Sequence, residues 1–98
     1  MADEIKVSIK QIDDMKHSIG LNVDSKFKKK KGQRVYEAYR NYYYTGDKSS
    51  PSLDELVKLG LMEKWTREMG KTMFYYGVTE AGFKYLEKLM NIQIVERD

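Results

Sequence analysis

Seven cations crowd into residues 26–40: Lys26, Lys28, Lys29, Lys30, Lys31, Arg34 and Arg40, opposed there by Glu37 alone, so this segment carries a net charge of +6. The whole chain carries only +3, because residues 1–25 sum to -2 and residues 41–98 to -1. Such a block is drawn to anionic surfaces, nucleic acid above all, and can neutralise phosphates without sequence preference. Tyr36, Tyr39, Tyr42, Tyr43 and Tyr44 follow at once, and their rings suit stacking on exposed bases. The same residues also fit a solvated basic loop beside an aromatic core, and composition leaves both readings open.

Catalytic chemistry finds little to work with. His17 is the single histidine and cysteine is absent, which excludes a histidine-cluster or thiolate metal site and a Cys-His pair. Asp13 and Asp14 stand near His17, but neighbouring helical residues point apart and do not make a ready carboxylate pair. No phosphate-cradling glycine loop or metalloprotease motif occurs. The expectation is a protein without catalytic residues, metal or cofactor. Further along, Arg67, Glu68 and Lys71 flank Gly70, where two bases could touch a nucleic-acid backbone or simply solvate a hairpin tip.

These groups must be positioned by a small framework. With 98 residues and 11.6 kDa, the chain suits one domain that removes roughly 65% of its unfolded surface from water. No apolar run approaches the roughly 18 residues needed to span a bilayer, and the polar start is unlike a signal peptide. A cytoplasmic protein without membrane contact is expected, and the lack of cysteine suits that setting.

Residues 4–8 alternate as a strand would, while Ile9, Ile12, Met15 and Ile19 have helical spacing, which predicts a short strand and then a helix over 9–19, capped by Ser8 and ended by Gly20. Residues 22–34 read as a basic loop. Residues 35–45 fit either a helix face of Val35, Tyr39 and Tyr42 or a strand over 41–45. From residue 52 to 90 the signals agree. Ser52 and Glu55 have capping-box spacing after Pro51, Leu53, Leu56 and Val57 make an apolar stripe, and Gly60 ends a helix of about two turns. Residues 61–67 and 72–78 make a hairpin around Gly70, with Trp65 and Phe74 as cross-strand candidates. Thr79 caps a last helix bearing Phe83, Leu86, Leu89 and Met90. Ile92 and Ile94 alternate as a terminal strand, which could pair with the first strand or another subunit. The surplus apolar residues of the last helix would suit a homodimer.

Gly60-Leu61, a hairpin, and then Val78-Thr79-Glu80-Ala81-Gly82 resemble the C-terminal half of winged-helix regulators of the PadR-like and MarR-like families. The resemblance implies an α+β domain of winged-helix type, with helices and a two- or three-stranded antiparallel sheet, and a DNA-binding or regulatory role. In those families the helix before the wing reads the major groove. Here Asp54 and Glu55 would repel phosphate at that helix, which turns attention to the basic segment upstream. A second likeness carries Met15 to Leu21, Tyr39-Arg40-Asn41-Tyr42-Tyr43, Leu56 to Gly60, and Tyr75-Tyr76 with Val78-Thr79. It is similar to small phage and prophage proteins of Gram-positive bacteria. That similarity would make residues 1–14 an extension and the setting a bacterial host cell, and it implies a role blocking a host or virion protein.

Two functions therefore stand as expectations. One is nucleic-acid binding through Lys26, Lys28, Lys29, Lys30, Lys31, Arg34 and Arg40, with Arg67 and Lys71 from the hairpin. The other is protein binding through Tyr42, Tyr43, Tyr44 and Trp65, residue types favoured as interface anchors. Two helices crossing ahead of the hairpin would make a helix-turn-helix. A strand at 41–45 joined to the hairpin would instead make the wing part of a sheet and favour protein binding.

Overall fold

Ser8 starts the first helix because its hydroxyl accepts from the Gln11 amide while the Gln11 side chain accepts from the Ser8 amide, a reciprocal cap that satisfies two otherwise unpaired donors. A computed structural model of the chain describes residues 7–21 and 27–96. Helix α1 spans Ile9–Ser18, and Gly20 takes a left-handed φ of 75° just beyond it, as its position predicts. Met15 and Ile19 are fully buried, but Ile9 is 80% exposed and lies off the core face. The strand expected at 4–8 falls mostly outside the described residues, and Val7 and Ser8 are not in a strand.

The expected loop over 22–34 is in part a hairpin: β1 (Lys28–Lys30) pairs antiparallel with β2 (Gln33–Ala38). Residues 22–26 lie outside the described residues. Two positive φ angles, 54° at Lys31 and 80° at Gly32, make the tight two-residue connection whose twist matches antiparallel strands. Strand β3 (Tyr43–Gly46) follows, so the choice left open over residues 35–45 resolves as strand, an irregular stretch over 39–42 and strand rather than helix.

Helix α2 spans Pro51–Lys58. Its cap is Ser50, whose hydroxyl accepts from the Leu53 amide at 3.3 Å, with Pro51 in the first turn where a missing N–H costs nothing. The Ser52 and Glu55 box therefore does not form. Glu55 instead accepts from the side-chain amide of buried Gln11, which also donates to the Ser52 carbonyl and ties α1 to α2. At the far end Gly60 has φ 79°, and the Gly60 and Leu61 amides donate back to the Val57 and Leu56 carbonyls, the left-handed exit predicted for Gly60.

Strands β4 (Met62–Glu68) and β5 (Thr72–Val78) form the hairpin, and β3 adds to it antiparallel, giving a sheet in the order β3-β5-β4. Register sets Trp65 opposite Tyr75, not Phe74, which faces Thr66. Thr79 caps helix α3 (Glu80–Met90) by accepting from the Gly82 amide at 3.1 Å. Of its expected apolar face Leu86 is fully buried and Leu89 is 52% exposed. Strand β6 (Gln93–Glu96) pairs parallel with β2, completing a second sheet in the order β1-β2-β6. The terminal strand thus finds a partner in the middle of the chain; the expected pairing with residues 4–8 falls mostly outside the described residues.

The result is an α+β fold, with three helices and two three-stranded sheets among the described residues. Met15, Ile19, Leu53, Leu56, Met62, Tyr76, Leu86 and Ile92 share one core at 0 to 2% exposure. Tyr36 closes its side by donating from its hydroxyl to the Ile19 carbonyl at 2.9 Å. Among the described residues no helix is long and apolar enough to cross a membrane.

Candidate nucleic-acid interface

The basic segment acquires geometry from the register of β1 and β2. Lys28 lies opposite Val35, Lys29 opposite Arg34, and Lys30 opposite Gln33. Side chains alternate along a strand, so Lys28 and Lys30 share the face of Val35 and Gln33, while Lys29 and Arg34 share the other. Lys31 sits in the turn. All five cations are exposed. Lys28 pairs with Glu37 at 3.3 Å in an open setting, with side-chain exposures of 78% and 31%, and such pairs contribute little net stability. Arg34 lies over Phe27, its guanidinium carbon 5.1 Å from the ring centroid, and Phe27 in turn leans on Tyr36 at 6.0 Å. The ribbon thereby has an ordered root and a charged tip.

Strand β6 supports only the root. Its pairing begins at Val35 with Gln93 and runs to Ala38 with Glu96, so Gln33 and Arg34 lie beyond it. Lys28, Lys29, Lys30, Val35, Glu37, Gln93 and Val95 border an open concavity of about 300 Å³.

The remaining predicted cations are placed elsewhere. Arg40 follows β2 at the end away from the ribbon tip and donates to the His17 carbonyl at 2.6 Å, with its guanidinium near the Tyr39 and Tyr42 rings at 5.9 and 5.7 Å. It caps the end of α1 and does not join the ribbon. Arg67 lies over Tyr75 at 5.4 Å, and Lys71 pairs with Asp47 at 3.5 Å. These two flank the second hairpin, not the basic one. Lys26 lies outside the described residues.

The predicted tyrosine cluster is divided by strand alternation. Tyr43 stands in register with Tyr76 and Lys64 on the core side, whereas Tyr44 stands with Tyr75 and Trp65 on the opposite face. There the rings form a ladder across three strands: Tyr44 to Tyr75 at 5.0 Å, then Tyr75 to Trp65 at 5.9 Å with planes 10° apart. Gly77 is part of this arrangement, because a Cβ there would lie 3.0 Å from the Trp65 ring. Sequence reasoning does not single out Tyr75, because Thr72 to Val78 shows no polar–apolar alternation and its place in the ladder comes from the pairing with Tyr44 and Trp65.

Asp54 does not face a groove. The Tyr76 hydroxyl donates to its carboxylate at 2.7 Å and Lys64 at 2.9 Å, while the Ser50 amide donates to the Tyr76 oxygen at 3.0 Å. Burial alone would raise the Asp54 carboxyl, but these hydrogen bonds and the charges of Lys64 and Lys58 overcome it and hold the group below its ordinary value. The hydrogen bond to Asp54 raises Lys64. Burial raises Tyr76.

In chain order α2 follows β3, and the helix tied to it through Gln11 is α1, three strands earlier. His17 packs its ring edge-on to Tyr43 at 5.2 Å, and Asp14 is held by Lys10 at 3.0 Å. Among the described residues no group of three or more His, Cys, Asp or Glu side chains is placed to hold a metal ion. No protein-family model, curated protein or solved structure matches the chain.

Proposed function

We propose that this protein is a non-enzymatic nucleic-acid-binding module that holds phosphates with Lys28, Lys29, Lys30, Lys31 and Arg34. The observation that carries the reading is the β1–β2 hairpin. Five cations presented by an ordered ribbon have a defined direction and spacing, which a solvated loop lacks, and Glu37 is the single acid among the ribbon's strand residues. Phosphate contacts of this kind release counterions, so affinity must fall steeply as salt rises. Fluorescence anisotropy on mixed-sequence DNA and RNA across a salt series tests it. The expected result is salt-dependent binding that collapses when residues 28–31 are changed to alanine. Absent or salt-insensitive binding would remove the proposal.

A second reading rests on the ladder of Tyr44, Tyr75 and Trp65 and on the joining of β3 to the hairpin. That joining makes the wing part of a sheet, which favours a protein partner over groove insertion by α2. Tyr, Trp and Arg are favoured anchors of such interfaces, and Arg67 already lies over the central ring. A pull-down from a bacterial host lysate should then yield one dominant partner that is lost on Tyr44→Ala or Trp65→Ala. A clean pull-down counts against this reading. Tyr43 is unsuited to that test because it packs against the core.

A further inference from the structure

We infer that the β1–β2 ribbon occupies the major groove of B-form DNA, with cations on its two faces reaching phosphates on both groove walls; this rests on the nucleic-acid reading above. Three observations fix the class of ligand. The first is reach. Pairing with β6 stops at Val35, which is level with Lys28, and the chain then runs through Lys29 and Lys30 to Lys31 before it turns. At about 3.4 Å per residue the tip stands roughly 10 Å beyond its support. The major groove is about 8.5 Å deep and about 12 Å wide, and it admits a two-stranded ribbon.

The second is the distribution of charge. Lys29 and Arg34 point to one side, Lys28 and Lys30 to the other, and Lys31 sits at the end. A surface that lies flat on an anionic sheet, such as a lipid headgroup layer, needs its cations on one side. Cations on both sides suit a slot with negative walls, and a DNA groove is such a slot. The tip is narrow because Lys31 and Gly32 turn the chain in two residues.

The third is that, among the described residues, the ribbon presents no free stacking ring. Single strands are held by aromatic platforms beside cations. Phe27, at the ribbon's root, is half-buried, covered by Arg34 and packed on Tyr36. Duplex RNA is disfavoured too, since its major groove is deep and too narrow for side chains to read.

The test compares a mixed-sequence 20-base-pair DNA duplex, its single strand and the matching RNA duplex by anisotropy, using the full chain. It is repeated with Lys29→Ala/Arg34→Ala and with Lys28→Ala/Lys30→Ala. The duplex DNA should bind at least about tenfold tighter than either alternative. Each double variant should lower the slope of log affinity against log salt by about 1.8, which is about 0.9 for each lost phosphate contact. Dimethyl sulfate should find guanine N7, in the major groove, protected, and adenine N3, in the minor groove, still reactive. Protection at adenine N3 alone, equal affinity for the single strand or RNA duplex, or loss confined to one double variant would overturn the groove assignment while leaving nucleic-acid binding in place. No binding to any of the three would overturn both.

Discussion

An acidic side chain in the first turn of an exposed helix ordinarily repels phosphate, but Asp54 is spent on holding α2 to the sheet. Its carboxylate takes hydrogen bonds from Tyr76 and Lys64, and the Tyr76 oxygen in turn accepts the Ser50 amide. The folded carboxyl therefore titrates below its ordinary 3.8. A group depressed on folding contributes stability above its unfolded value and loses it as pH falls through the folded one. Urea midpoints should accordingly decline as pH drops below about 4, and Asp54→Asn should flatten part of that decline. In carbon-detected NMR titrations, Asp54 should move upward on Tyr76→Phe. That substitution also leaves the Ser50 amide without its acceptor and should cost about 1–3 kcal/mol by urea denaturation.

At the scale of elements, the caps were mostly legible because capping depends on a few adjacent residues. Ser8, Gly20, Gly60 and Thr79 all act where their local chemistry places them. The sequence pattern points to a start of α2 two residues late, because Ser50 and Ser52 both offer a hydroxyl and Glu55 has the spacing to complete the second option. What decided between them was Gln11, distant in sequence, which takes the Glu55 carboxylate. Ser50→Ala should therefore lower stability by about 1 kcal/mol in urea denaturation, whereas Ser52→Ala should stay within about 0.5 kcal/mol of the parent. Gly82 is a different case, legible as a motif glycine but not in its reason. A Cβ there would overlap the Leu61 carbonyl oxygen, which already accepts the Thr79 amide, and would press on Val78. Gly82→Ala gains helix propensity but must part α3 from the β4 entrance, so a net loss of about 1–3 kcal/mol is expected in thermal or urea melts.

Across the whole molecule, the cations of the candidate site could be read from composition, but their arrangement could not. Four adjacent lysines hide the alternation that marks a strand, leaving Gly32 as the local hint of a turn. The strand that supports the ribbon lies near residue 94, opposite Tyr36 in parallel register, and such distant pairing leaves no short-range signal. A hairpin with three residues on one strand is marginal in water by itself, and a third strand with an apolar face is what makes it persist. Strand β6 contributes that third strand, and Ile94 packs beside the core cluster while Ile92 anchors the approach. Removing residues 93–98 leaves Ile92 and every ribbon cation in the chain, yet it should release the ribbon. Amide exchange at Val35 to Ala38 should accelerate sharply in the truncated chain, while the Met62–Glu68 strand and its partner Thr72–Val78 keep their protection. If five charges alone sufficed, DNA affinity would be unchanged. If their two-sided presentation on an ordered ribbon matters, affinity should fall about tenfold at constant salt, with the log-log salt slope reduced as contacts on one or both faces are lost.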